Sequence, residues 1–91
     1  MSNRKWITQT IFDWHNDDQV LQDNLQEFIA ANNLKDLDSH SIYIIAKHLR
    51  DYFLDGVPEE SGLYTDLIIN SLKEADWYGL TKRLLNVYGW L

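Results

Sequence analysis

Residues 38–56, DSHSIYIIAKHLRDYFLDG, are the stretch whose reading decides the fold. Its centre, Ile42-Tyr43-Ile44-Ile45, is β-branched and aromatic, the composition of a strand. Its spacing is that of a helix. Ile42, Ile45, Ala46, Leu49 and Phe53 fall at i, i+3, i+4, i+7 and i+11, which stacks them on one helical face. Asp38 or Ser39 offers a side-chain oxygen to the unpaired N–H groups of a first turn, and Gly56 before Val57-Pro58 ends the pattern. A capped helix is expected here.

The same period runs outward in both directions. Trp6, Ile7, Thr10, Ile11 and Trp14 form one stripe, and Val20, Leu21, Leu25, Phe28 and Ile29 form a second. Between them Asn16-Asp17-Asp18 gathers three poor helix formers, so a new helix is expected with Asp17 or Asp18 as its cap. Asn32-Asn33 reads as a stop, because Asn tolerates the left-handed position after a helix. Leu34 and Leu37 then sit in a short connector and should cover the core. Downstream, Pro58 with Glu59 and Glu60 suits a first helical turn, with Ser61 as a competing cap. Leu63, Tyr64, Leu67, Ile68 and Leu72 carry that helix. Asp76 caps a last one bearing Trp77, Leu80, Leu84, Leu85 and Tyr88, and Gly89 closes it before an apolar tail, Trp90-Leu91. The expectation is an all-α fold, a compact bundle-like domain of four or five short helices over residues 1–91. Its core should bury Trp14, Leu25, Phe28, Ile45, Leu49, Leu67, Ile68, Leu80 and Leu84.

Composition narrows the function. The net charge of −6 opposes direct binding to nucleic-acid backbones or to an anionic membrane surface, and permits a basic protein partner. No apolar run approaches the roughly 18 residues of a membrane span, and MSNRKWITQT lacks the apolar centre of a secretory signal. A cytoplasmic chain is expected. With no Cys there is no disulfide framework, thiolate metal site or Cys nucleophile. His40 and His48 are eight residues apart, about 12 Å along one helix and too far to share a metal. His15 beside Asp17 and Asp18 could form a weak metal or acid–base cluster, but a surface or cap-adjacent histidine is the plainer reading. The serines lack a nucleophile context and the four glycines are isolated, so no phosphate loop is present. The expectation is a chain that is not an enzyme and uses no cofactor or metal.

Two features remain. Residues 12–28, FDWHNDDQVLQDNLQEF, hold five carboxylates and no Lys or Arg, and a second acidic block follows at 51–72. Asp13 and Asp17 are one turn apart, as are Asp23 and Glu27; like charges at that spacing cost a little stability, so local structure does not explain them. Such a row can imitate the phosphates of a nucleic acid, or it can be a solvated face. The acids least accounted for by capping are Asp13, Asp23, Glu27, Asp51 and Asp55. The second feature is the aromatic content, with 4 Trp and 5 Tyr. Tyr43, Tyr52, Tyr78 and Trp90 fall outside or at the edge of the apolar stripes and are the candidates for a sticky surface. The tail Trp90-Leu91 either folds back on the core or meets another chain, and self-association is the preferred expectation.

LYTDLIINSLKEADWYGLTKRLL at 63–85, with IAKHLRDYF at 45–53, resembles small acidic helical proteins carried by phages and other mobile elements. The shared pattern is an apolar helix ending near an acidic residue and Trp, followed by a short amphipathic helix. The resemblance implies a host-takeover or anti-defence role exercised by binding a host protein, in the host cytoplasm. The leading expectation is therefore a non-enzymatic protein-binding module. It would inhibit a host nuclease or defence complex by surface occlusion or by acidic, DNA-mimic-like contact with a basic or nucleic-acid-binding partner. The alternative is a homodimeric structural or regulatory adaptor without mimicry.

Overall fold

The computed structural model describes residues 4–34, 36–57 and 62–90. They form five α-helices: α1 Arg4–Asp17, α2 Gln19–Ala31, α3 Ser39–Asp55, α4 Leu63–Glu74 and α5 Trp77–Val87. No described residue is in a strand, so the fold is all-α and the β-branched centre of α3 is helical. Among the described residues, no helix is long and apolar enough to cross a membrane.

Short polar side chains set the helix boundaries. Asp18 takes an extended backbone and accepts from the N–H groups of Val20 and Leu21 at 2.9 and 3.3 Å, so one residue separates α1 from α2. Asp38 accepts from Ser41 N–H at 2.9 Å, and Asp76 from Gly79 N–H at 3.1 Å. Each bond satisfies a donor that the first turn leaves unpaired. Past α2, Asn33 adopts a left-handed φ of 54°, and past α5, Gly89 adopts a φ of 77°. The expected start of the fourth helix at Pro58, Glu59, Glu60 and Ser61 lies outside the described residues; α4 is described from Leu63.

α3 packs against α2, α4 and α5, and α1 packs against α2, α4 and α5. Leu25, Ile45, Leu80, Leu84 and Leu85 are fully enclosed between them, with Leu49, Ile42, Ala46, Ile7, Ile11, Phe12 and Trp77 around them. Polar bonds fix the angles between elements. Thr8 Oγ1 accepts from the backbone N–H of Asp76 at 2.9 Å, tying α1 to the corner between α4 and α5. Trp77 Nε1 donates to Leu72 O at 2.8 Å, which holds the end of α4 to the start of α5.

Three expected core residues are outside. Trp14, Leu67 and Ile68 are exposed. In α1 the inward set is Ile7, Ile11, Phe12 and His15, a turn of about 100° from the Trp6–Thr10–Trp14 row. α5 docks on the Phe12 side, where the Arg83 guanidinium lies 4.0 Å over the Phe12 ring, and this rotates Trp14 out and His15 in. In α4 the half-buried residues are Thr65, Ile69, Ser71 and Leu72, so the helix turns its Ile69–Leu72 side inward. Apolar residues occupy so much of its circumference that period alone could not choose the buried side. Phe28 is half-buried, stacked on His48 with ring centres 3.8 Å apart. Trp90 is likewise half-buried rather than a free sticky residue. Its backbone N–H donates to Leu85 O at 2.8 Å, its ring centre lies 5.2 Å from that of Tyr88, and with Ile29, Leu34 and Leu37 it lines an open hollow.

Candidate protein-binding face

The rotation of α1 and α4 creates a surface that the stripes did not foresee. Trp6, Ile7, Thr10 and Ile11 of α1 and Leu67, Ile68, Ser71 and Leu72 of α4 line an open groove of about 260 Å³. Helical spacing extends the lining at both rows. Trp14 follows Trp6 and Thr10 at i+8 and i+4, and Tyr64 precedes Leu67 and Ile68 at i−3 and i−4. Trp6 is 70% exposed, Trp14 68%, Tyr64 80%, Leu67 52% and Ile68 47%. Together these side chains offer on the order of 600 Å² to solvent, at the upper end of the ~300–600 Å² of the largest apolar patch on a typical monomer. None of the lining residues is charged. α4 has no fully buried residue at all, although the other four helices each have at least one. Among the described helices it packs against α1 and α3 alone.

The residues singled out in the sequence are more dispersed. Asp13, Asp23, Glu27, Asp51 and Asp55 are exposed, but they sit on three different helices, α1, α2 and α3. Gln9 donates to Asp13 and Gln19 to Asp23, each at 2.9 Å and one turn away. Tyr43 and Tyr78 come together, lining a shallow hollow with Lys47 and Arg50. Tyr52 is elsewhere, in a run of rings from His48 through Tyr52 and Phe53 to Trp77. Asp18 rather than Asp17 caps α2, which leaves Asp17 exposed at the last position of α1.

His15 corrects the expectation of a surface histidine: it is 1% exposed. Its Nδ1 lies 2.7 Å from the Tyr88 hydroxyl, and that hydroxyl lies 3.4 Å from the His15 carbonyl oxygen. Both contacts are satisfied when Nδ1–H donates to the hydroxyl and the hydroxyl donates to the carbonyl. Nε2 is then a bare acceptor, buried without a partner among the described residues. Burial holds the imidazole well below its ordinary value, at about 4, against a smaller opposing pull from the Asp18 charge. Burial likewise pushes the Tyr88 phenol up to about 12. The arrangement is a hydrogen bond between an enclosed His15 of α1 and a half-buried Tyr88 at the end of α5. His48, stacked on Phe28 and 3.1 Å from Asn24 Oδ1, is also lowered by burial. Among the described residues, no group of three or more His, Cys, Asp or Glu side chains is placed to hold a metal ion.

No protein-family model, curated protein or solved structure matches this chain.

Proposed function

We propose that the chain is a non-enzymatic protein-binding module whose contact surface is the apolar face of α1 and α4. The observation that carries this reading is an uncharged row of exposed Trp, Tyr, Leu and Ile side chains on two adjacent helices of a strongly acidic chain. Leaving such a row in water forgoes roughly 25 cal/mol for each Å² that a partner could cover. Trp and Tyr are also the side chains that most often dominate the energy of an interface. The resemblance to small acidic helical proteins of phages gives the module a direction: occlusion of a surface on a larger host protein, such as a nuclease or defence complex.

A second reading rests on Asp23 and Glu27, exposed one turn apart on α2. Here the contact is electrostatic and imitates a nucleic acid. Photo-crosslinking separates the two. A photoreactive residue in place of Ile68 should capture a protein partner in cells, and the same residue in place of Asp23 should not. Capture at position 23 alone favours the acidic contact, and capture at neither position overturns both.

A further inference from the structure

The groove between α1 and α4 carries a pattern of charge along its edges. On α1, Asp13 stands at i+3 from Thr10 and i+7 from Trp6, and Asp17 at i+3 from Trp14 and i+7 from Thr10. On α4, Glu74 stands at i+3 from Ser71 and i+7 from Leu67. Residues at those intervals share a helix face, so the apolar row has carboxylates on both of its edges. All three are exposed. Of the basic residues of the same helices, Lys5 and Lys73 turn elsewhere, and Arg4, at i−3 from Ile7 and i−7 from Ile11, is held by an acid of the neighbouring corner. Lys5 is one residue from Trp6 and five from Thr10, and Lys73 is two from Ser71 and five from Ile68. Arg4 pairs with Asp76 at 3.7 Å, at the corner between α4 and α5.

We infer that the occupant of this groove is an amphipathic helix with Lys or Arg on both flanks of its apolar stripe. The inference rests on the reading of the α1–α4 face as a contact surface. A furrow between two helices has the form that the ridge of a third helix fills, and α4 is the helix with no enclosed residue. The apolar stripe of the occupant covers Trp6, Thr10, Leu67 and Ile68, and its basic flanks meet Asp13, Asp17 and Glu74. Trp6 and Trp14, both exposed on α1, are rings on which such cations can stack. A second copy of this chain fits less well, because a two-fold contact through this groove sets acidic edges against acidic edges. The Asp13–Asp17 pair also gains a role. Like charges one turn apart weaken α1 slightly, and a cationic partner offsets that repulsion on binding.

The test uses two synthetic helical peptides of about the length of α1, with the same Leu stripe at i, i+3, i+4 and i+7. One has Lys and Arg flanks, the other Glu flanks. Titrations followed by Trp fluorescence at low and at 0.15 M salt should show the basic peptide binding at least tenfold more tightly, by a margin that narrows with salt. Asp13→Asn with Asp17→Asn should weaken the basic peptide by roughly threefold to tenfold, as two rim pairs in high dielectric allow. It should leave the helix content unchanged. Ile68→Asp should abolish binding of both peptides. Equal binding of the two peptides overturns the choice of a basic partner while leaving the apolar face as the contact surface. Failure of both peptides to bind overturns the helical occupant. A mass of twice 10.8 kDa for the chain alone, with loss of that mass in Ile68→Asp, assigns the groove to a second copy and overturns the inference. In either of these last two cases a protein captured at position 68 would still stand for the contact surface itself.

Discussion

Among the described residues, the burial of His15 ties stability to pH. Its folded value of about 4 lies below the 6.5 of the unfolded chain. Between those values the unfolded chain binds a proton that the folded chain does not take up. Stability from this residue is therefore complete above pH 6.5 and is lost as pH falls towards 4, by at most about 3 kcal/mol. His48, lowered for the same reason, adds a contribution of the same sign. Urea midpoints at pH 7, 5.5 and 4.5 should fall steadily for the native chain and much less for His15→Phe; equal slopes would contradict the enclosed imidazole. Tyr88, raised to about 12, predicts a second loss as pH rises from 10 towards 12. Sequence could not show this pair. His15 and Tyr88 are 73 residues apart, and a histidine between acids reads as a surface group until the rotation of α1 is known. The caps were legible, because a cap is a local exchange between one side chain and the next turn: Asp18, Asp38 and Asp76 act as their positions imply. Asp17 and Ser39 were the competing candidates, and the extended backbone at Asp18 and at Asp38 decides against them.

At the scale of the helix, α3 and α5 were legible and α1 and α4 only in part. In α3 and α5 the apolar residues at helical spacing are the ones that are buried: Ile45, Leu49, Leu80 and Leu84 are inside. Leu49→Ala should cost roughly 2–5 kcal/mol, as deletion of an enclosed Leu does, and chemical denaturation measures it. A cost under about 0.5 kcal/mol would contradict the packing of α3. α1 and α4 have apolar residues on more than one side, and only contacts with α5 and α3 choose which side turns in. Ile68→Ala should therefore cost under about 1 kcal/mol, since half of that side chain already meets water. A loss as large as that of Leu49→Ala would place Ile68 in the core after all. On α2, Asp23→Asn with Glu27→Gln keeps shape and removes two like charges a turn apart. The melting temperature should hold or rise slightly, by a few tenths of a kcal/mol in stability; a clear fall would give those carboxylates a structural role.

Across the whole molecule the question is where the aromatic surplus goes. Trp90, at the tail, is half-buried against the core. The most exposed aromatic side chains lie on α1 and α4, in Trp6, Trp14 and Tyr64. A patch on the order of 600 Å² approaches the roughly 800 Å² that each partner contributes to a stable complex, the scale that the proposed contact needs. The acidity has a matching distribution. Asp23 and Glu27 belong to α2, whereas Asp13, Asp17 and Glu74 share helix faces with groove-lining residues and, on our proposal, select what enters it. The most direct test of that account is an amide chemical-shift map of the isotope-labelled chain with and without the basic-flanked peptide. Shifts centred on Trp6, Thr10, Trp14, Tyr64, Leu67, Ile68 and Ser71, with Asp13 and Asp17 at their margin, are the predicted result. Shifts centred on Asp23 and Glu27 of α2, with α4 unmoved, would contradict it.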